Sequence, residues 1–255
     1  MNAPKIDRSR AEASGPLTLA IDIGGTGLKA SVLDSAGRMI VPRVRVDTPH
    51  PCQPETLLAA LEKLVAPLPP SDRISAGFPG VVRDGHVLTA PHFDGPAWSN
   101  YALAQALSER FGKPARVLND AEVQGLGIVT GKGLEVVLTL GTGIGSAIFS
   151  NGRLAPHLEL AHHPIHKGET YNEYVGDAAR KAHGREKWNS RVRHMVDVVS
   201  SLIHFDVLYL GGGNSVHVQA RDLPPNVHIA SNDAGITGGV QLWQERIWDW
   251  ASQQT

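Results

Sequence analysis

Hydrophobic positions in the first half of the chain form short runs typical of strands, followed by stretches with helical spacing. Runs at 17–23, 28–33 and 39–46 predict three strands joined by tight turns, as in an antiparallel meander. Apolar residues three and four apart between positions 55 and 65 predict an amphipathic helix. The remaining elements predicted here are a strand at 74–78, a hairpin at 81–88, a helix at 100–111 with Asn100 as its N-cap and Gly112 after its end, and a strand at 116–118.

The second half repeats this order of strand, glycine turn, strand and helices. Its predicted strands are 135–140, 146–149, 207–210 and 226–230, and its predicted helices are 121–129, 171–183, 188–204 and 239–252. The stretch 151–170 has no clear periodicity. The repeated order suggests a duplicated α/β unit with a cleft between the two copies.

Two glycine-rich turns follow predicted strands, DIGGTGLK at 22–29 and LGTGIG at 140–145. Glycine allows the backbone to approach a ligand closely, and backbone N–H groups in such turns can cradle phosphate. Neither turn is a Walker loop or a dinucleotide fingerprint. Thr26 and Lys29 could contact phosphate and Asp22 could face a metal ion, although ordinary hairpins with a solvated Lys29 would give the same pattern.

Asn119 and Asp120 lie where a predicted strand ends, the place where open α/β folds position ligand-facing groups. An Asp there can accept a proton from a hydroxyl that attacks phosphorus, and Asn can bind a polyol through its donor and acceptor. The alternative is that Asp120 only caps the following helix.

Further polar residues lie in the segment HLELAHHP, which contains Glu159, His162 and His163. Carboxylate and imidazole groups bind sugar hydroxyls, but a solvated loop or a metal site that includes His166 would also fit. The glycines 211–213 follow another strand and could receive a nucleotide or further phosphates, or could only allow a close contact between a helix and a strand.

The composition gives no indication of a nucleic-acid-binding protein, a membrane protein or a cysteine-based zinc protein. The 255 residues are 42% hydrophobic and 19% charged, with a formal net charge of -1, which gives no general attraction to nucleic acid or anionic membranes. Cys52 is the only cysteine, so a cysteine-based zinc site is not expected. Residues 1–15 lack the apolar core of a signal peptide, and no apolar run is long enough to span a membrane. We expect a cytoplasmic protein with a disordered N-terminus.

The order of DIGGT, GFPG, LND, LGTGIG, E-x-x-H and LGGG resembles the ROK family of sugar kinases, over roughly residues 17–245. The resemblance implies a two-lobed, actin-like and hexokinase-like (ribonuclease H-like) α/β fold, with mixed sheets flanked by helices and the active site in the interlobe cleft. The implied small lobe is 16–118 plus a C-terminal helix at about 239–252, and the large lobe is 119–238. Relatives are commonly dimers, so we expect a homodimer.

Within the family, DIGGTGLKAS, LELAHHP, TYNEYVG and NDAGITGGVQLW resemble the short polyphosphate glucokinase type. That likeness implies transfer of a phosphoryl group from polyphosphate or ATP to the 6-hydroxyl of glucose, with Asp120 as general base. It implies Mg²⁺ near Asp22, bound through water. The implied sugar-binding residues are Asn119, Glu159, His162, Glu173 and Gly80, and the implied phosphate-binding residues are Gly24, Gly25, Thr26, Lys29, Gly141, Thr142, Gly143, Gly211, Gly212 and Gly213.

Some positions depart from the family pattern. Asn172 and Glu173 stand where the subgroup commonly has Glu then Asp, and His92 stands where Asn is common. A kinase for another hexose, a catalytically weak sugar-binding or regulatory protein, and a transcriptional regulator therefore remain alternatives. A long anionic donor would need a basic groove, for which the candidates are Lys29, Lys167, Arg180, Lys181, Arg185, Lys187, Arg191 and Arg193, although a basic run is usually a solvated helix face.

Overall fold

The computed structural model describes residues 15–93, 95–231 and 234–248 and contains two five-stranded sheets. The strands are β1 (Thr18–Ile23), β2 (Gly27–Leu33), β3 (Val44–Asp47), β4 (Arg73–Phe78), β5 (Val82–Arg83), β6 (His86–Val87), β7 (Ala115–Asn119), β8 (Leu134–Leu140), β9 (Ile144–Ser150), β10 (Arg153–Leu154), β11 (Pro164–His166), β12 (Glu169–Thr170), β13 (Val207–Gly211) and β14 (Val227–Ile229). The helices are α1 (Pro54–Val65), α2 (Leu103–Phe111), α3 (Asp120–Leu126), α4 (Tyr171–Val175), α5 (Asp177–Ile203) and α6 (Ala234–Thr237).

The two sheets have the same topology. The first has the order β3-β2-β1-β4-β7 and the second has the order β10-β9-β8-β13-β14. In each sheet the first three strands are antiparallel, and the third, fourth and fifth strands are parallel. The predicted duplication of one α/β unit is therefore confirmed.

Each sheet packs against its own helices through leucine, valine and aromatic side chains. Leu57 and Leu61 of α1 and Leu107 of α2 are buried with the first sheet. Trp188 and Val192 of α5 are buried with the second. Helical spacing of these residues puts them on one face, and their burial accounts for most of the stabilisation that holds each helix in place.

Helix α3 lies between the two units, in contact with β4 and β7 of the first sheet and with β8 and β9 of the second. A 3-10 helix at Gly238–Trp243 returns the chain to β1, β4 and β7. We propose that the first sheet and this C-terminal segment form the small lobe and that the second sheet forms the large lobe, with α3 at their junction.

Several predicted elements differ in the structure. Strand β3 is shorter than 39–46, because Pro42 has no N–H to donate and Met39 makes only an isolated bridge to Leu33. Asn100 is not a helix cap: it has a φ of 56°, and α2 begins after Ala102.

The C-terminal region also differs. Instead of one helix at 239–252 there are two short 3-10 helices, Gly238–Trp243 and Glu245–Ile247, and positions 249–252 lie outside the described residues. The predicted helices 171–183 and 188–204 are replaced by α4 and by the longer α5, which is kinked at Gly184 with a φ of 73°. The expectation for residues 1–15 falls almost entirely outside the described residues. Within the described part of the chain, no helix combines the length and apolar character needed to cross a bilayer.

Candidate active site

The carboxyl ends of the parallel strands of the first sheet bring the acidic candidates together. Asp22 on β1 is opposite Gly77 on β4, and Phe78 on β4 is opposite Asn119 on β7. Adjacent parallel strands in this register end at the same edge of the sheet. The edge therefore carries Asp22, Asn119 and the following residue, Asp120.

Asn119 is fixed in place by three hydrogen bonds. Its Oδ1 accepts from the backbone N of Ala121 at 2.9 Å, and its Nδ2 donates to the backbone O of Gly80 at 3.0 Å. Its own backbone N donates to Oε2 of Glu122 at 3.1 Å, so Asn119 and Glu122 form the capping box of α3. The predicted sugar-binding residues Asn119 and Gly80 thus lie in direct contact, and a side chain at Gly80 would collide with the carbonyl oxygen of Thr89.

Asp120 is the first residue of α3 and is partly buried. Burial and the nearby charge of Asp22, with smaller contributions from Glu159 and Glu122, raise its pKa to about 7, although the backbone N of Ala121 donates to Oδ1 at 2.8 Å and opposes the shift. A carboxyl group with a pKa near neutrality is suited to accept a proton from a substrate hydroxyl.

Asp22 has a cation partner within its own hairpin. Nζ of Lys29 lies 2.8 Å from Oδ2 of Asp22, on the paired strand β2. Lys29 therefore forms an ion pair with Asp22, and its contact with phosphate stays a prediction. The pair of interacting carboxyl groups, Asp22 and Asp120, nonetheless fits Mg²⁺, which is usually held by one or two carboxylates together with waters and substrate phosphates.

The first glycine turn is closed by its own backbone. The N of Gly24 donates to the O of Gly27 at 3.0 Å, and Oγ1 of Thr48 donates to the O of Gly24 at 2.6 Å. A Cβ added at Gly25 would lie 2.9 Å from Cβ of His92, so glycine is needed for this contact. Thr26 is exposed at the tip of the turn.

The second turn has a similar internal bond, from the N of Gly141 to the O of Gly143 at 2.9 Å. Nδ2 of Asn214 and the backbone N of Asp177, the first residue of α5, both donate to the O of Gly141 at 3.0 Å. Thr142 is exposed at its tip.

Glycines 211–213 lie beside this turn. Gly212 has a φ of 80°, and a Cβ there would lie 2.5 Å from the O and 2.6 Å from the N of Leu140. Glycine is therefore required at 212 both for its backbone angles and for its contact with the last residue of β8. The phosphate candidates of the second half thus lie together at the end of β8 and β13.

Glu159 acts electrostatically on Asp120, at the edge of the first sheet that carries Asp22 and Asn119, and it also lies close to His157. The backbone N of Ala161 donates to Oε1 of Glu159 at 3.1 Å, and Nε2 of His157 lies 3.6 Å from Oε2. Burial alone would raise the pKa of Glu159, but the facing imidazole of His157, the hydrogen bond from the backbone N of Ala161 and the charge of His162 lower it. His162 is exposed, and its charge also adds to the effect of burial in lowering the pKa of His92. His162 therefore interacts electrostatically with both Glu159 and His92.

The other histidines of this segment have different partners. Nδ1 of His163 lies 2.8 Å from the O of Pro164, and the ring of His166 packs against Tyr174 and His194. Across residues 15–93, 95–231 and 234–248, no group of three or more His, Cys, Asp or Glu side chains is arranged to hold a metal ion.

The structure does not bring Glu173 into this cluster. Glu173 is exposed, and its Oε2 accepts from both N and Oγ1 of Thr170 at 2.8 Å in the capping box of α4. Asn172 supports the second glycine turn, because its Oδ1 accepts from the N of Ile144 at 2.7 Å. Asn172 and Glu173, at two of the three positions where the chain departs from the family pattern, therefore make structural hydrogen bonds.

Most of the basic candidates for a polyphosphate groove are paired with acids. Five of the eight form ion pairs: Lys29 with Asp22, Arg180 and Lys181 with Asp177, Arg191 with Glu169, and Arg193 with Asp222. Their net attraction for a polyanion is correspondingly reduced.

Two site residues were missed by sequence reasoning. Glu122, three residues after Asn119, fits the N-x-x-E spacing of a capping box, so the signal was available. His157 has no such signal, because its contact with Glu122 joins residues 35 positions apart.

The duplicated sheet topology, with acids and glycine turns at the strand ends, is the actin-like, hexokinase-like ATPase fold. The chain belongs to the ROK family, whose profile matches residues 18–159. It is 31% identical over 235 residues to the polyphosphate glucokinase of Mycobacterium tuberculosis strain H37Rv, covering 86% of this chain and 88% of that protein.

Two further comparisons are with kinases whose names include sugars besides glucose. The crystal structure of the inorganic polyphosphate/ATP-glucomannokinase from Arthrobacter sp. strain KM superposes with a TM-score of 0.80 at 30% identity, covering 89% of this chain and 98% of that one. The N-acetylmannosamine kinase of Escherichia coli O9:H4 strain HS is 36% identical over 146 residues, covering 54% of this chain and 48% of that protein. The chain is thus a ROK-family relative of sugar kinases.

Proposed function

We propose that this protein is a hexose kinase that transfers a phosphoryl group from polyphosphate or ATP to the 6-hydroxyl of glucose, with Asp120 as general base. The observation that carries the proposal is the position of Asp120, next to Asn119 at the strand ends, with a pKa raised to about 7 by burial and by Asp22. The similarity to polyphosphate glucokinase and to the glucomannokinase supports the choice of substrates.

In this proposal, Asn119 and Glu159 bind sugar hydroxyls and so direct the reacting hydroxyl toward Asp120. Asp120 takes up the proton of that hydroxyl as the oxygen attacks phosphorus. The two glycine turns offer backbone N–H groups to the donor phosphates from both units. Mg²⁺ held near Asp22 would supply positive charge for the transferring group.

The test is a coupled assay of sugar phosphate formation, with ATP or polyphosphate as the only donor. We expect the Asp120→Asn variant to lose at least about a thousandfold in kcat with either donor, because a residue that accepts the proton cannot be replaced by a neutral amide. Asp197→Asn is the matched control, since Asp197 is an exposed residue of α5, far along the helix from its N-terminus. Near-normal turnover of Asp120→Asn would refute the assignment.

The hexose is to be tested in the same assay with glucose, mannose and N-acetylmannosamine. The similarity to the N-acetylmannosamine kinase and the roles of Asn172 and Glu173 keep other hexoses open. Calorimetric binding of a sugar without turnover of any of the three, with either donor, would instead favour the sugar-binding alternative.

A further inference from the structure

His157 lies between two carboxylates that belong to different parts of the site. Its Nδ1 is 2.8 Å from Oε1 of Glu122, and its Nε2 is 3.6 Å from Oε2 of Glu159. The side chain of His157 is 11% exposed and that of Glu122 is 3% exposed, so solvent screens the Glu122 pair poorly.

Each of these carboxylates also holds a backbone N–H group. Glu122 accepts from the N of Asn119 through its second oxygen, and Glu159 accepts from the N of Ala161. The residues therefore form a chain in which hydrogen bonds join Asn119, Glu122 and His157, and a 3.6 Å ion-pair contact, longer than a hydrogen bond, joins His157 to Glu159. It connects the start of α3 to the segment that carries Glu159 and His162.

The geometry indicates that His157 is an imidazolium. A neutral imidazole has one donor nitrogen, whereas here a carboxylate faces each ring nitrogen. Burial alone would lower the pKa of His157, but the hydrogen bond to Glu122 and the facing carboxylates of Glu122 and Glu159 raise it to about 9. The other charged groups acting on these carboxylates are Asp120, which interacts with both, and His162, which interacts with Glu159.

We infer that His157 is a positioning residue for the sugar: its positive charge, anchored on Glu122, holds the carboxylate of Glu159 ionised and oriented for the sugar hydroxyls. This rests on the proposed function, because it assigns Glu159 to the sugar. His157 acts through Glu159 rather than on the reacting atoms. His157 contacts Glu122 and Glu159, whereas the carboxyl group of Asp120 accepts from the backbone N of Ala121, so we expect the larger effect of His157 on sugar binding.

The variant to test is His157→Asn, whose amide Nδ2 can occupy the position of Nδ1 and keep the bond to Glu122. It removes the charge and the group that faces Glu159. We expect the KM for glucose to rise about tenfold, with kcat within about threefold of the original, since a charge-assisted contact to a binding group is lost. His157→Gln, which places an amide nearer to Glu159 without a charge, is expected to give a smaller rise in KM. His228→Asn, at an exposed position of strand β14, is the matched control and should leave both constants unchanged.

The pH dependence separates this role from a purely structural one. In the original protein the KM for glucose is expected to rise above about pH 9, as the imidazolium loses its proton. In His157→Asn the KM is already high and stays constant through that range. Melting temperatures of all variants are measured in parallel, so that a KM effect is interpreted only for folded protein.

Three outcomes would overturn the inference: an unchanged KM in His157→Asn, a loss confined to kcat, or the same alkaline rise in KM in both proteins. Calorimetric titration with glucose at pH 7.5 and pH 9.5, without donor, gives the same comparison as dissociation constants. If the original protein binds glucose but transfers no phosphoryl group, the proposed function fails while the role of His157 is still tested.

Discussion

Replacing Asp120 by Asn should make the protein more stable while it removes the proposed base. The ionised form of Asp120 is disfavoured in the folded protein by burial and by Asp22, which raise its pKa from 3.8 to about 7. A difference of this size corresponds to about 4 kcal/mol against the ionised folded state, and because Asp120 is partly exposed we expect an effect of about 2 to 3 kcal/mol. Asn is isosteric and keeps an oxygen that can accept from the N of Ala121.

The sign of the pH dependence follows from the direction of the shift. Because the pKa of Asp120 is higher in the folded than in the unfolded chain, the penalty is fully present above about pH 7 and disappears as pH falls toward 4. The stability advantage of Asp120→Asn should therefore be largest at pH 8 and small at pH 4. Urea denaturation of both proteins at pH 8, 6 and 4 measures it as the difference in unfolding free energy.

Asp34→Asn is a control for which the change in unfolding free energy should have the opposite sign. Burial alone would raise the pKa of Asp34, but hydrogen bonds from the backbone N groups of Arg38 and Ala36 and from the Arg38 side chain lower it. Asp34→Asn should therefore be less stable than the original at pH 8, with the difference shrinking as pH falls through the lowered pKa. The reasoning would be refuted if Asp120→Asn were destabilised at pH 8, or if its advantage did not change with pH.

Three other substitutions test specific contacts. The buried carboxylate of Glu135 accepts from three backbone N groups, from the Thr130 hydroxyl and from the Tyr209 hydroxyl. Glu135→Ala should therefore lower the unfolding free energy, measured by urea denaturation, by about 2 to 4 kcal/mol. A loss below about 0.5 kcal/mol would contradict this. The hydroxyl of Tyr171 is buried and has no hydrogen-bond partner among the described residues. Tyr171→Phe should therefore leave the unfolding free energy unchanged or raise it by about 1 kcal/mol. A clear loss would indicate that a bound water satisfies the hydroxyl. Asn172→Ala removes the side-chain oxygen that accepts from the N of Ile144 in the second glycine turn. We expect the KM for the phosphoryl donor to rise severalfold, with little change in the KM for sugar. An equal rise for both substrates would contradict the role of the turn.

Much of the fold could be predicted from local sequence pattern. The strands flanking both glycine turns follow from short apolar runs, because most of their residues are buried, and the α1 helix follows from helical spacing, because one of its faces is buried. Over its described part, 239–248, the predicted helix at 239–252 is wrong, because Gly238 and Gly239 pack closely against Val123 and Ala20 and the chain forms short 3-10 helices there. Such tertiary contacts have no local periodicity.

The site could be predicted only in part, for the same reason. Asn119 and Asp120 are recognisable because they end a strand and begin a helix, which is a local feature. Glu173 supplies a carboxylate close to where the family pattern has one, but its hydrogen bonds to Thr170 keep it at the helix cap. His157 acquires its role only when the folded chain places it against Glu122, and no spacing in the sequence encodes that contact.

Gly212 occupies a position at which no side chain can be added without moving the backbone of the neighbouring strand. With a φ of 80° and the backbone of Leu140 within 2.6 Å of any added Cβ, even alanine would have to displace the end of β8. Gly213, one residue later, has open space where a side chain would lie. A saturation mutagenesis library selected for activity should thus be depleted of every substitution at 212 while retaining many at 213, so that adjacent glycines in one motif would differ sharply in mutational tolerance.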